Sequence, residues 1–153
     1  MLALSPDGRT LVYVASRDGV VQLFRRPIDQ FEATPMPGTE GAQDPFFSPD
    51  GQWVGFEADG ALLKVALAGG PAQTLTATPA CRGADWGADD MIVYGLVVGG
   101  PLMQIPAAGG DPTVLFTPGD QRAAGCPAGP PDGDAGAVTG STFGTDGGAR
   151  ARA

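Results

Sequence analysis

Two strand-forming segments flank a tight turn in the stretch Phe46-Phe47-Ser48-Pro49-Asp50-Gly51-Gln52-Trp53-Val54-Gly55-Phe56. The aromatic and β-branched residues on either side favour extended backbone. Asp followed by Gly favours the turn, because Gly adopts a positive φ without steric cost and the Asp carboxylate can accept a hydrogen bond from the backbone two residues on. The stretch therefore predicts two antiparallel strands joined at Asp50-Gly51.

Three kinds of turn return along the chain with nearly the same spacing. Ser48-Pro49-Asp50-Gly51 is preceded by Ser5-Pro6-Asp7-Gly8 and followed by Gly87-Ala88-Asp89-Asp90 and Pro130-Pro131-Asp132-Gly133, at offsets of 43, 39 and 43 residues. The second landmark is Asp18-Gly19, Asp59-Gly60 and Gly99-Gly100, and the third is Ala68-Gly69-Gly70 and Ala108-Gly109-Gly110. Three landmarks with one period indicate a repeat of about 40 residues.

Short segments with strand composition lie between these turns. They are residues 10–14, 20–24 and 32–36 in the first repeat, 44–47, 52–56, 61–67 and 73–76 in the second, and 83–86, 91–94, 102–105 and 112–116 in the third. Four strands in about 40 residues match one blade of a β-propeller, whose small sheets stack on one another. The fold class predicted is all-β, a partial propeller of about three four-stranded antiparallel blades. An antiparallel sandwich with evenly spaced turns is the alternative.

The composition changes near residue 117. Residues 1–116 are interpreted as an incomplete propeller. Among residues 117–153, 21 of 37 are Gly, Ala or Pro, and the large apolar side chains are Val138 and Phe143 alone. This tail cannot form a comparable core, so we expect it to have low order and to contain a degenerate fourth repeat.

Composition excludes several classes of function. The chain has no His, which removes the commonest general base and zinc ligand and every Ser/His/Asp arrangement. Its net charge of −8 argues against nucleic acid as a partner, because that binding depends on clustered Lys and Arg. The longest apolar run, residues 91–98, is too short to span a bilayer, so no membrane insertion by this chain is expected.

No catalytic residue, metal site or cofactor is predicted. Cys81 and Cys126 form neither a disulfide framework nor a metal-binding spacing, and whether they pair is left open. Residues 1–4 lack a positive segment and a long apolar segment, so we expect no export signal in this chain.

The recurring acidic residues have two interpretations. Asp7, Asp50, Asp89 and Asp132 could ligate cations around one rim of the propeller, but a role in forming the turns is favoured. Asp132-Gly133-Asp134 resembles the start of a calcium loop and lacks the rest of that pattern.

The aromatic residues are expected to pack between blades rather than to form a binding surface, and these are Phe46, Phe47, Trp53, Phe56, Trp86 and Tyr94. Arg25 and Arg26 are interpreted as a solvated edge. The acidic stretch 39–44, with Glu40 and Asp44, is the better candidate for contact with a partner, because propeller loops carry recognition. A solvated loop is the favoured alternative for that stretch.

Residues 4–116 resemble the Asp-Gly-turn propeller repeats of the TolB type, which are related to WD-repeat blades. The segments 26–33, 37–42 and 45–56 resemble more specifically the propeller region that follows the kinase domain in bacterial receptor-like serine/threonine protein kinases. This resemblance implies an extracytoplasmic or periplasmic domain for sensing or protein interaction. The kinase motifs and the Gly-x-Ser-x-Gly elbow of peptidases are absent from the sequence, so a non-catalytic portion of a larger protein is expected.

The predicted function is binding of a protein or a small ligand by the sensor region of such a kinase. The alternatives are a TolB-like periplasmic scaffold that binds an envelope protein, and the propeller part of an S9-family peptidase. Three blades leave a ring unclosed, because propellers close with about 4 to 8 blades. Self-association of two copies into a six-bladed ring is therefore a further hypothesis.

Overall fold

Three four-stranded antiparallel sheets make up the computed structural model, which describes residues 1–78, 81, 83–96 and 100–118. Blade 1 contains β1 (Leu2–Leu4), β2 (Thr10–Arg17), β3 (Val20–Pro27) and β4 (Thr34–Pro35). Blade 2 contains β5 (Gln43–Phe47), β6 (Trp53–Ala58), β7 (Ala61–Ala66) and β8 (Gln73–Ala77). Blade 3 contains β9 (Ala84–Trp86), β10 (Met91–Gly95), β11 (Leu102–Pro106) and β12 (Thr113–Phe116). The predicted three blades are confirmed.

Some predictions fall on residues outside this described part. They concern Gly99, Cys126, Asp132, Gly133 and the low order of the tail from residue 119 onward. No helix occurs among the residues that the structure describes. Accordingly, no helix of that part is long and apolar enough to cross a membrane.

The strands of each blade follow one another in chain order, so every blade is a meander of hairpins. The blades meet through their first strands, because β1 contacts β5 and β5 contacts β9. Buried residues of later strands also meet between the blades, since Leu23 of β3 and Val65 of β7 belong to one core cluster. Neighbouring blades therefore pack face to face, as propeller blades do.

Two hairpins show why Asp-Gly recurs. Asp18 and Gly19 both have positive φ, at 53° and 80°, between the paired residues Arg17 and Val20. Asp59 and Gly60 repeat this with φ of 50° and 71° in the hairpin of β6 and β7. Positive φ at both central positions defines the type I′ turn, which suits the twist of a two-residue hairpin.

The core consists of two clusters, one on each side of blade 2. The cluster between blades 1 and 2 contains Val12, Leu23, Met36, Ala42, Val54, Phe56, Ala58 and Val65. The cluster between blades 2 and 3 contains Phe46, Leu62, Leu75, Cys81, Trp86, Ile92, Tyr94, Ile105 and Ala107. Four of the six aromatic residues expected between blades are thus buried, while Phe47 and Trp53 pack partly buried against the clusters.

Strand β1 is absent from the sequence-based strand assignment. Its residues Leu2, Ala3 and Leu4 lack the aromatic side chains that marked β5 and β9. They nevertheless pair with β2, and Leu4 lies opposite Leu11. The strand forms because β2 offers an edge to pair with, which is a property of the sheet and not of the three residues.

Candidate functional site

The Ser-Pro-Asp-Gly turn of blade 1 is closed by its own side chains. The Ser5 hydroxyl donates to Oδ1 of Asp7 at 2.6 Å, and the backbone N–H of Arg9 donates to the same oxygen at 3.0 Å. Ser5 Oγ in turn accepts from the N–H of Thr10 at 2.8 Å. The Ser5 hydroxyl and the Arg9 N–H lower the pKa of Asp7, since both donate to its charged form.

Blade 2 repeats this arrangement. The Ser48 hydroxyl donates to Asp50 Oδ1 at 2.5 Å, the N–H of Gln52 donates to that oxygen at 3.0 Å, and Ser48 Oγ accepts from the N–H of Trp53 at 2.9 Å. The pKa of Asp50 is lowered, first by the Ser48 hydroxyl and then by the Gln52 N–H. In blades 1 and 2, Oδ1 of Asp7 and Oδ1 of Asp50 therefore each accept hydrogen bonds from within their own turn.

The third turn differs from the other two at three positions, Gly87, Ala88 and Asp90. Gly87 stands where the other blades have Ser, and Asp89 Oδ1 accepts from the N–H of Met91 at 3.2 Å. Asp90 has a φ of 59° at the position of Gly8 and Gly51. Its Oδ1 lies 3.4 Å from Nε1 of Trp86, which donates toward it. This turn thus projects two carboxylates beside an indole ring.

Lys64 joins blade 2 to blade 3 beside that turn. Its ammonium donates to the backbone oxygen of Ala107 at 2.7 Å. The same nitrogen lies 4.6 Å from the ring centroid of Trp53 and 5.9 Å from that of Trp86. A cation at these distances is attracted by the negative ring faces. Lys64 is therefore held between two tryptophans that come from different blades.

An open cleft of about 640 Å³ lies at this junction, and we call it the inter-blade cleft. Its lining combines the two tryptophans and Lys64 with acidic and small apolar residues. The lining residues are Ser48, Pro49, Asp50, Trp53, Lys64, Trp86, Ala88, Asp89, Asp90, Met91, Pro106, Ala107 and Ala108. Three carboxylates and one ammonium give it negative charge. No group of three or more His, Cys, Asp or Glu suited to a metal ion occurs within the described residues.

The two residues expected to contact a partner lie elsewhere. Glu40 is exposed, and its Oε1 accepts from the N–H of Gly38 at 3.1 Å. Asp44 is half-buried at the start of β5, with a φ of 44°. Buried Thr39 anchors this stretch, because its hydroxyl donates to Met36 O at 2.6 Å and accepts from Leu23 N at 3.0 Å. Neither Glu40 nor Asp44 lines the inter-blade cleft.

The glycine pairs at the third landmark lie in the turns that follow β7 and β11. Gly69 and Gly70 have φ of 103° and 133°, and Gly109 and Gly110 have 88° and 134°. The N–H of Gly69 donates to Ala66 O at 2.9 Å, and that of Gly109 to Pro106 O at 2.8 Å. The second turn follows directly after Pro106, Ala107 and Ala108, which line the cleft.

Sequence reasoning did not select Lys64 as a site residue. The signal was present, since this is the chain's one lysine and it lies in an otherwise apolar strand. The interpretation of Arg25 and Arg26 as a solvated edge is wrong for Arg25. Its Nη1 donates to the backbone oxygen of Leu67 in the next blade and is partly buried. Neither hydrogen bond was predictable from a local pattern, because the acceptors lie 42 and 43 residues away along the chain.

Comparison with known proteins supports the fold. No protein-family model matches the chain. A stretch of 55 residues is 38% identical to the uncharacterized protein Atu1656 of Agrobacterium fabrum, covering 35% of this chain and 19% of that protein. TolB from Acinetobacter baumannii is similar in structure, with a TM-score of 0.66 and 18% identity over 86% of this chain and 35% of TolB.

The β-propeller domain of the Trilobed protease from Pyrococcus furiosus is also similar, with a TM-score of 0.56 and 14% identity over 80% of this chain and 45% of that one. At these identities the likeness establishes the fold alone. The chain is therefore part of a β-propeller, and it spans less than half the length of each of these three proteins.

Proposed function

We propose that this chain is a non-catalytic interaction module whose inter-blade cleft binds a basic segment of a partner protein. The observation that carries this proposal is the joining of two tryptophans and three carboxylates from neighbouring blades around one open cleft. Propellers commonly recognise partners at such rims, where loops of successive blades meet.

The chemistry of the lining favours a basic partner. Asp89 and Asp90 lie at the exposed turn of blade 3, and the net charge of −8 adds a long-range attraction for cations. Trp53 is half-buried and supplies apolar area of the kind that dominates binding energy at interfaces. Because Lys64 already lies over both rings, it repels a second cation from them and directs a basic group of the partner toward the carboxylates.

Tryptophan fluorescence tests this proposal directly. Trp53 and Trp86 are the chain's two tryptophans and both line the cleft, so a peptide bound there lies beside both emitting residues. We expect lysine-rich peptides to change the emission and glutamate-rich peptides to leave it unchanged. We expect Asp89→Asn to weaken lysine-rich peptide binding by about tenfold, since charged pairs at interfaces commonly contribute this much.

The matched control is Asp59→Asn, which removes the same charge at a hairpin outside the cleft and keeps a residue that tolerates positive φ. Equal weakening by both variants would show that net charge, not the cleft, drives binding. Failure of every basic peptide to alter the emission would refute the proposed site.

We further propose that the parent protein is a bacterial receptor-like serine/threonine kinase, in which this region is an extracytoplasmic or periplasmic sensor. The support is the resemblance of residues 26–33, 37–42 and 45–56 to that propeller region, together with the propeller fold. The coding sequence on both sides of this chain's own coding region tests the proposed kinase parent. A kinase domain followed by one transmembrane helix supports the sensor, whereas an export signal favours a TolB-like scaffold.

The propeller part of an S9-family peptidase is the second candidate. It is favoured by the structural likeness to the propeller domain of the Trilobed protease. A hydrolase domain in the adjoining coding sequence would establish this candidate over the kinase sensor.

A further inference from the structure

Four Asp-Gly dipeptides occur in the described part of the chain, and they differ in what their own atoms contact. They begin at Asp7, Asp18, Asp50 and Asp59, and all four aspartate side chains are exposed. The two residues of such a dipeptide can react with each other, because the glycine nitrogen can reach the side-chain carboxyl carbon of the aspartate and glycine has no Cβ to obstruct it. The reaction requires that the glycine N–H and the aspartate carboxyl are both free to turn.

Both groups are engaged in the Ser-Pro-Asp-Gly turns. The N–H of Gly51 donates to the backbone oxygen of Ser48 at 2.9 Å, which fixes this nitrogen within the turn. Oδ1 of Asp50 accepts from the Ser48 hydroxyl and from the N–H of Gln52. The same two donors lower the pKa of Asp50, so fewer of its carboxyls carry the proton with which an oxygen leaves as water. The first turn repeats all three hydrogen bonds around Asp7.

Neither group is engaged in the hairpin of β2 and β3. Within the described residues, the N–H of Gly19 donates no hydrogen bond and the carboxyl of Asp18 accepts none. A Cβ built at Gly19 would meet no atom within 4 Å, so the space around this turn is open. The hairpin of β6 and β7 has the same dipeptide, but there Gly60 O accepts from the N–H of Thr78 at 2.8 Å. The reacting groups are therefore least constrained at Asp18-Gly19.

We propose that Asp18 is a site of spontaneous isoaspartate formation. The Gly19 nitrogen attacks Cγ of Asp18, a bond forms between these two atoms, and the bond from Cγ to its hydroxyl oxygen breaks. The hydroxyl and the amide proton leave as one water molecule, and a five-membered imide remains. Addition of water at Cγ then restores Asp18. Addition at the backbone carbonyl carbon of Asp18 instead breaks its bond to the Gly19 nitrogen, and the main chain then continues through Cγ. Water is the only co-reactant.

Isoaspartate at this position alters the hairpin itself. It adds one methylene group to the main chain between Arg17 and Val20, which are paired across a two-residue loop. Positive φ at both loop positions matches the twist of the flanking strands, and a longer main chain does not fit that turn. The pairing at the tip of the hairpin is therefore lost. This inference goes beyond the proposed function, because the hairpin lies outside the inter-blade cleft.

Peptide mapping of the full chain after storage in mildly acidic buffer tests the proposal. Isoaspartate has the mass of aspartate, so the two forms are separated by chromatography and identified by fragmentation across the added main-chain bond. We expect isoaspartate to accumulate about tenfold faster at Asp18 than at Asp50, the factor that corresponds to one hydrogen bond to a charged group. We expect an intermediate rate at Asp59. Equal rates at Asp18 and Asp50, or no isoaspartate at Asp18, overturn the proposal.

Storage in concentrated guanidinium chloride is the control for the sequence. All four dipeptides are then equally free, so their rates are expected to converge. The same order of rates in the unfolded chain would show that neighbouring residues, not the turns, set the difference, and this outcome overturns the structural argument.

Two variants test the cause within the folded chain. Ser48→Ala removes a donor to Asp50, and we expect it to raise the rate at Asp50 by up to about tenfold, while Asp18 in the same molecule serves as an unchanged standard. Asp18→Glu keeps the charge, but its imide needs a larger ring, so we expect the product at residue 18 to be lost. Far-ultraviolet circular dichroism establishes that both variants keep their strands. An unchanged rate at Asp50 in folded Ser48→Ala overturns the protective role of the turn.

Discussion

Gly55 lies beneath the ring of Phe46, and replacing it with Ala tests how closely blade 2 is packed. A Cβ added at Gly55 would lie 2.1 Å from Cζ, 2.4 Å from Cε2 and 2.7 Å from Cε1 of Phe46. Real Cβ atoms essentially never approach other atoms so closely, so the ring must move. Phe46 is 8% exposed within the cluster between blades 2 and 3, and its displacement disturbs that cluster.

The expected cost follows from this geometry. Inserting a methyl group into a well-packed core costs about 1–3 kcal/mol. We expect Gly55→Ala to fall at the upper end, because three ring atoms clash and the side chain is almost buried. Gly95→Ala is the matched control, since its Cβ would meet Leu102 Cδ2 at 3.7 Å, an ordinary contact. Gly95 is also free of positive φ, so the control is expected to be neutral or to stabilise by about 0.5 kcal/mol.

Urea unfolding followed by tryptophan emission measures both variants, with the midpoint converted to a free energy of unfolding. A second substitution separates the clash from other effects. Phe46→Leu in the Gly55→Ala background removes the ring, so part of the lost stability is expected to return. Equal midpoints for Gly55→Ala and Gly95→Ala would refute the packing argument.

Three further predictions concern the same blades. Lys64→Met is expected to lower the free energy of unfolding by about 1–3 kcal/mol, because it leaves the backbone oxygen of Ala107 without its donor. Lys64→Arg is expected to recover part of this free energy, and urea unfolding measures both variants. Ser48→Ala is expected to raise the pKa of Asp50. The lowered pKa of Asp50 stabilises the fold above the unfolded pKa of about 3.9, and this stabilisation is lost as the pH falls through the folded pKa. The urea midpoint of the variant is therefore expected to fall less below about pH 4 than that of the parent chain. Gly19→Ala is expected to cost about 1 kcal/mol in thermal unfolding despite open space around it, because its φ is 80°.

The blades were predictable because their turns are local. Asp18-Gly19 and Asp59-Gly60 take positive φ at both positions, as the dipeptide favours in any chain. The period of the turns then set the number of blades. Strand β1 was not predictable in the same way, since Leu2, Ala3 and Leu4 become a strand through pairing with β2.

The inter-blade cleft was harder to predict from the sequence than the blades were. Its turn residues Asp50, Asp89 and Asp90 were identified for their role in turns, whereas Lys64 was overlooked. Its members come from two blades, and nothing in a local pattern indicates that Trp53 and Trp86 share one cation. The predicted contact at Glu40 and Asp44 rested on loop charge and lies outside this cleft.

Local chemistry thus accounts for the turns, the strands and their grouping into three sheets, because each depends on residues a few positions apart. The partners of Arg25 and Lys64 and the joining of two tryptophans in one cleft arise when one sheet packs on the next. Their geometry depends on the packing angle between sheets, which no stretch of the chain encodes alone. The contact of Phe46 with Gly55 arises within blade 2 instead, because β5 pairs with β6 in a register that places the ring over the glycine.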